Sequence, residues 1–137
     1  MSNNSVFAAI GYVSWSLFLL ACLVTYRLVI AARKKRPING FRPDGSDLDA
    51  IGHRLTRAHA NVLETFPIFP ATLLIAIMTH NADLTNGLAL WALFARITQS
   101  CVHLVSTSNF AVRLRGTFLI IQMAITTIWL VRMLHLV

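Results

Sequence analysis

Residues His53 to Pro70 read HRLTRAHANVLETFPIFP, and they set a cluster of polar groups at the mouth of an otherwise apolar stretch. At a helical period of 3.6 residues, Arg57, Asn61 and Glu64 fall at i, i+4 and i+7, so a cation, an amide and an anion share one face. An ionisable side chain turned toward lipid is costly, so such a stripe points into a bundle interior or a wet cleft. There it either addresses a common ligand or forms an Arg57–Glu64 pair that pins two helices together. His59 sits inside the same run, and either donates to a ligand or packs at a helix interface.

The rest of the chain sets the environment of that face. Of 137 residues, 56% are hydrophobic and only 12% charged, with a mean hydropathy of +0.66. This is too apolar for an ordinary soluble domain and suits one compact, all-α membrane protein. The net charge of +7 does not imply nucleic acid, because the basic residues gather in connecting loops rather than along a soluble face. Cys22 and Cys101 lie in apolar segments without a CxxC pair, and read as unpaired buried hydrophobes. His53, His59, His80, His103 and His135 lack paired ligand spacing, so no metal site is expected.

Four spans follow, at about residues 6–33, 47–79, 84–106 and 110–136, in one domain over residues 1–137. Each approaches or exceeds the roughly 20 residues that cross a bilayer. Met1 to Ser5 carries no positive charge, which argues against a cleaved signal peptide. Tyr26 and Arg27 suit the far interface of the first span. Arg33, Lys34, Lys35 and Arg36 then open a loop rich in turn formers, Pro37, Asn39, Gly40, Pro43, Asp44 and Gly45. By the positive-inside rule this loop is cytoplasmic and both termini lie opposite, in the inner membrane if the source is bacterial. Ser46, Asp47 and Asp49 supply helix-start chemistry, and Pro67 and Pro70 should kink the second span.

In the third span, Arg96, Gln99, Ser100 and His103 fall at i, i+3, i+4 and i+7 and form a second polar face. That span runs inward, so Gln99 and His103 approach the end that holds Arg57. Arg96 lies deeper, and Glu64 is the acidic partner expected for it inside the spans. Asp83 and Asn109 are placed to start the third and fourth helices. Arg113 and Arg115 occupy the first turns of the last span, where the positive-inside rule alone would account for them. Gln122, Thr126 and Thr127 are available for interhelical bonds, and Trp129 suits the outer interface.

The run Arg57-Ala58-His59-Ala60-Asn61, with Glu64 and Pro67 after it, resembles the second-helix signature of the MAPEG family, membrane-associated proteins in eicosanoid and glutathione metabolism. Asn39, Phe41, Pro43, Asp44 and Gly45 look like the loop of its bacterial members, and the likeness spans essentially the whole chain. It implies a homotrimer of four-helix subunits, with glutathione as co-substrate held between neighbours near the cytoplasmic surface. On that basis Arg57, His59, Asn61, Glu64, Gln99, His103 and Arg115 are expected to bind glutathione, with Arg96 as structural support. Arg113 matches best the family's thiolate-stabilising arginine, with Arg115 second. A guanidinium at a helix N-terminus favours thiolate over thiol, and the thiolate is the nucleophile. The chain departs from the family's eicosanoid synthases at Ala60, where another ligand arginine is common, and at Gln99 and His103, near positions that carry His and Tyr.

Glutathione is an anionic peptide thiol, so arginines can clamp its carboxylates, Asn61 can bond its amides and Glu64 can receive its ammonium group. The reading is a membrane transferase or peroxidase acting on hydrophobic electrophiles or lipid hydroperoxides that enter from the bilayer. The departures keep a second reading, a noncatalytic lipid-binding or scaffolding member. A transporter using Glu64 is a third, opposed by the arginines that would neutralise its charge.

Overall fold

The computed structural model describes residues 3–136, so Met1, Ser2 and Val137 of the expected domain lie outside the described residues. The elements are α1 (Asn4–Lys34), a 3₁₀ turn (Ile38–Gly40), α2 (Ala50–Thr65), α3 (Phe69–Met78), α4 (Asp83–Val105) and α5 (Asn109–Leu134). No strand occurs among the described residues. Four segments are long and apolar enough to cross a membrane: Asn4–Lys34, Ala50–Met78, Asp83–Val105 and Asn109–Leu134.

The second segment is a broken helix rather than a kinked one. Pro67 has no N–H to donate, and residues 66–68 form a turn closed by Ile68 N to Thr65 O at 3.1 Å. Pro70 falls in the first turn of α3, where its missing donor would have had no partner in any case. The break turns Phe66 and Phe69 onto Tyr12 of α1, with ring centroids 5.9 and 5.4 Å apart.

Only Asp49, of the three residues expected to start α2, caps it, accepting from Gly52 N at 2.9 Å. Asp47 pairs with Arg36 and Ser46 bonds Asp44, so both stabilise the loop instead. The Tyr26 hydroxyl donates to Asp49, and the Arg27 guanidinium reaches the carbonyls of Arg42 and Pro43 at 3.3 and 3.5 Å. The basic loop is thereby tied to the end of α1. Hydrogen bonds from Tyr26 and Gly52 hold the Asp49 carboxyl below its usual range. Those from Ser46 do the same for Asp44. Partial burial pushes Asp47 upward, and bonds from Arg42 N and Arg36 outweigh it, leaving that carboxyl lowered. Gly45, at φ +69°, completes the loop with its α-carbon against Thr56, a backbone that side chains with a Cβ rarely adopt.

Small residues let the helices close together: Ala8, Ala76, Ala89 and Ala92 are all buried between them, as expected where packing rather than water drives association. At the end away from the basic loop, Ser5 joins α1 to α4, its N–H donating to Asn86 Oδ1 at 3.0 Å and its hydroxyl bonding Thr85 at 2.6 Å. Ser108, rather than Asn109, caps α5 by accepting from Ala111 N at 3.2 Å. Asp83 is the first residue of α4 and Ala82 precedes it without a side-chain cap.

Two expectations about burial are corrected. Trp129 is only 2% exposed and packs its ring on Phe69 at 5.9 Å, because the break at Pro67 brings that phenylalanine to α5. Cys101 is exposed and Cys22 half-buried, since the inward face of α4 is taken by Arg96, Gln99 and Ser100. Large apolar side chains, Phe7, Leu17, Trp91, Phe94, Phe110 and Ile120 among them, cover the outside. In a soluble monomer so much apolar surface is rare, whereas a bilayer accepts it.

Candidate functional site

The up-and-down order of the helices brings the end of α1, the start of α2, the end of α4 and the start of α5 to the end that carries the basic loop. Here a cavity of about 200 Å³ is lined by Arg57 and Asn61 of α2, Gln99 and His103 of α4, and Arg115, Gly116 and Leu119 of α5. Arg57 and Asn61 of one polar face and Gln99 and His103 of the other thus meet across one space. Arg54, which sequence reasoning passed over, donates from Nε to Leu104 O at 2.8 Å and ties α2 to the last turn of α4. Carbonyls at a helix end are without intrahelical partners, and that need was the available signal.

Beneath the cavity runs a chain of hydrogen bonds. Arg96 Nη1 donates to Asn61 Oδ1 at 3.1 Å and Gln99 Nε2 to the same oxygen at 3.4 Å. Gln122 Nε2 donates to Gln99 Oε1 at 3.1 Å and to Phe118 O at 2.9 Å. Thr126 Oγ1 continues the chain by donating to Gln122 O at 2.8 Å. Three helices, α2, α4 and α5, are joined by it. The Arg96 guanidinium also lies 5.9 Å from the ring centroid of Tyr12, whose hydroxyl donates to Val62 O at 3.0 Å. Tyr12 was not singled out in the sequence. A tyrosine in the middle of a span must find a polar partner, and that was its signal.

This network corrects the pairing expected for Arg96. It meets an amide, not a carboxylate: the one salt bridge among the described residues joins Arg36 and Asp47 in the loop. Glu64 is exposed and lines no part of the cavity. In the antiparallel packing of α2 and α4, Arg96 reaches one turn toward the mouth, to Asn61, and leaves Glu64 at the outer side of α2. The alternative Arg57–Glu64 pair is not made either. His59 stands roughly 200° around α2 from Arg57 and is half-buried away from the cavity.

Arg113 and Arg115 are separated by the same angle on α5, so a single subunit can turn only one of them inward. That one is Arg115. Its Nη1 is buried with no hydrogen-bond partner, and its side chain lines the cavity. Arg113 is exposed on the outer face of α5.

The network also fixes what the cavity offers. Asn61 Oδ1 already accepts from two donors, so its amide oxygen is turned to Arg96 and Gln99 and its NH₂ is the group left over. Reversing the amide would set that NH₂ against a guanidinium, which settles its orientation. Arg57, Arg115 and the Asn61 amide therefore present donors to one small space, suited to an anionic ligand rich in acceptors.

Comparison with known proteins agrees with this architecture. Among curated proteins and among solved structures no match to the chain is found. A sequence model of the MAPEG family matches residues 6–135, which takes in all but the first two residues of the four membrane-crossing segments, and the residues that line the cavity. With nearly its whole length matched, the chain belongs to the MAPEG family and is a multi-pass membrane protein of the class that serves glutathione and eicosanoid metabolism.

Proposed function

We propose that this protein is a glutathione-dependent membrane transferase or peroxidase acting on hydrophobic electrophiles or lipid hydroperoxides. The observation that carries the reading is the donor-lined cavity at the basic end, with Arg57 and Arg115 on its wall and one Arg115 nitrogen left buried without a partner. A reduced tripeptide with two carboxylates and a thiol supplies the acceptors and the negative charge that this space lacks. Arg57 and Arg115 hold carboxylate and thiolate, Asn61 and Gln99 bond the peptide, and His103 closes the side formed by α4. Glu64 and His59 stand outside the cavity and serve a ligand only where it extends past one subunit.

In the transferase reaction the thiolate sulfur bonds to the electrophilic carbon as the leaving group departs or the adjacent carbon takes a proton. In the peroxidase reaction sulfur takes the terminal oxygen of the hydroperoxide. The alkoxide released is protonated to the alcohol, and a second glutathione converts the sulfenic acid to disulfide and water. Both need the thiolate, which a neighbouring guanidinium favours. The role expected for Arg113 therefore passes to Arg115 within one subunit, while Arg113 lies on a face that a neighbour would cover.

A cavity of about 200 Å³ is smaller than the roughly 300–1,000 Å³ of small-molecule sites. That size favours a homotrimer in which an adjoining subunit completes the wall. A cytoplasmic placement of the basic loop would put the mouth where glutathione is kept reduced.

A thermal-shift titration of the detergent-solubilised protein with glutathione tests the reading. A ligand specific for the native state adds about 2.7 kcal/mol at one hundred times its Kd, and Arg115→Ala should abolish the shift. A melting temperature indifferent to glutathione overturns the function. Turnover lost in Arg113→Ala but kept in Arg115→Ala overturns the assignment of the thiolate to the cavity. Binding without turnover on any electrophile or hydroperoxide favours the noncatalytic reading, which the replacements at Ala60, Gln99 and His103 motivate.

A further inference from the structure

A second cavity, of about 380 Å³, opens at the opposite end of the bundle between the start of α4 and the end of α5. Asp83 and Arg132 stand on its wall, with Gly87, Leu88, Ile125 and Ile128 further along the same two helices. We propose that this cavity binds a zwitterionic aminophospholipid, with the ammonium group on Asp83, the phosphate on Arg132 and the upper acyl chain along the aliphatic wall.

Three observations converge on such a ligand. The two opposite charges are not spent on each other, since the salt bridge found among the described residues lies in the basic loop. The Asp83 carboxylate takes one long bond, from Asn86 Nδ2 at 3.4 Å, and remains exposed. Further into the bundle than both charges, along α4 and α5, the wall is apolar, so the space matches a molecule charged at both ends of its head and greasy beyond it. Finally, Gly87 leaves room along α4: a Cβ built there meets nothing within 4 Å. Asp83 and Arg132 also stand at the ends of membrane-crossing helices, the depth at which a phospholipid presents its head group. The site lies some 20 residues along α4 from His103, roughly 30 Å at 1.5 Å per residue, and does not depend on the glutathione reading.

Native mass spectrometry of the detergent-solubilised full chain tests the proposal. The probes are phosphatidylethanolamine, phosphatidylglycerol and glycerophosphoethanolamine, the last having the head group without the chains. Phosphatidylethanolamine should bind at least about tenfold more tightly than either of the others, a difference of about 1.4 kcal/mol. Gly87→Leu, which fills the cavity with a better helix former, and the surface changes Asp83→Asn and Arg132→Gln should each weaken it by a similar factor. Circular dichroism and the melting temperature serve as fold controls. Equal binding of phosphatidylglycerol overturns recognition of the ammonium by Asp83, and equal binding of glycerophosphoethanolamine overturns the acyl wall. Unchanged affinity in Gly87→Leu moves the lipid elsewhere. Loss of oligomer in that variant, with no lipid bound by the parent, assigns the face to a second copy of the chain and overturns the proposal.

Discussion

Replacing Asn61 with Leu should destabilise the bundle more than any other single change in the polar network. Arg96 is 1% exposed, its Nη1 bonds Asn61 Oδ1 at 3.1 Å, and its Nε is already buried without a partner. A hydrogen bond to a charged group contributes about 1.5–3 kcal/mol. The second donor to the same oxygen, Gln99 Nε2 at 3.4 Å, is neutral, and such interhelical bonds average about 0.6 kcal/mol. Asn61→Leu removes the one oxygen that accepts both bonds, and the loss is about 2–4 kcal/mol. The Tyr12 ring at 5.9 Å holds the guanidinium too weakly to offset that. Gln122→Leu is the control: it breaks a neutral bond of 3.1 Å to Gln99 and one to Phe118 O, and should cost no more than about 1.7 kcal/mol per bond, more often about 0.6. In the double variant Asn61→Leu with Arg96→Met, the stranded charge is gone, so the combined loss should fall short of the sum of the single losses by about 1–3 kcal/mol. Reversible unfolding in mixed detergent micelles, followed by circular dichroism, gives all four corners of the cycle. Single losses that add to within about 0.5 kcal/mol, or an Asn61→Leu protein as stable as the parent, would refute the account of Arg96 as a cation held by one amide.

Three further outcomes follow from particular contacts. The Asp49 carboxyl is held low by Tyr26 and Gly52. Its contribution is therefore present above the unfolded carboxylate value of about 3.9 and is lost as pH falls through the lower folded value. Melting curves taken from about pH 5 down to pH 2.5 should be shallower by one carboxylate's share in Asp49→Asn, with Asp44 and Asp47 still contributing; an identical acid slope contradicts the capping assignment. Gly52→Ala sets a Cβ 2.5 Å from Tyr26 Cε1 and 2.8 Å from Leu48 Cβ. The latter atom is fixed to the backbone, so an overpacking cost of about 1–3 kcal/mol should outweigh the roughly 1 kcal/mol gained in helix propensity, and a higher melting temperature would contradict it. Asn61→Asp should raise stability by giving Arg96 a carboxylate while weakening glutathione at least about tenfold, because an oxygen then faces the ligand's carboxylates. A variant that gains stability and keeps its affinity shows that Asn61 does not donate to the ligand.

Much of this arrangement is legible in the residues themselves. Long apolar runs announce the membrane segments, and the periodicity of Arg57 with Asn61 and of Arg96 with Gln99 and His103 announces which faces turn inward. What periodicity does not carry is partnership. Counting charges pairs Arg96 with Glu64, but a long side chain chooses among all acceptors within its reach, and Asn61 lies one turn closer to the mouth. Residue type alone suits Trp129 to the interface. Its burial depends on Phe69 being swung toward α5 by the break at Pro67, a tertiary effect that no local signal records. Arg113 and Arg115 differ by two positions, and only the packed orientation of α5 decides which faces the cavity. Asp47 and Asp49 are equally good helix starters by type; the loop's need for a partner to Arg36 leaves the cap to Asp49.

The absence of a carboxylate beside Arg96 bears on the cavity as well as on the fold. A buried guanidinium paired with an acid would cancel its own field, and the space above it would be close to neutral. Here the partner is an amide, which satisfies the hydrogen bond but leaves the charge in place. Arg57 and Arg115 add their own charges across the cavity, and Glu64, the acid nearest in sequence, stands exposed outside it. Where the surround is of low dielectric, as at the buried Arg96, such a charge acts over longer distances than it would in water. The bundle's inner network thus meets its one cation with neutral amides, and the positive potential it retains is what an acidic thiol entering from the basic end would encounter.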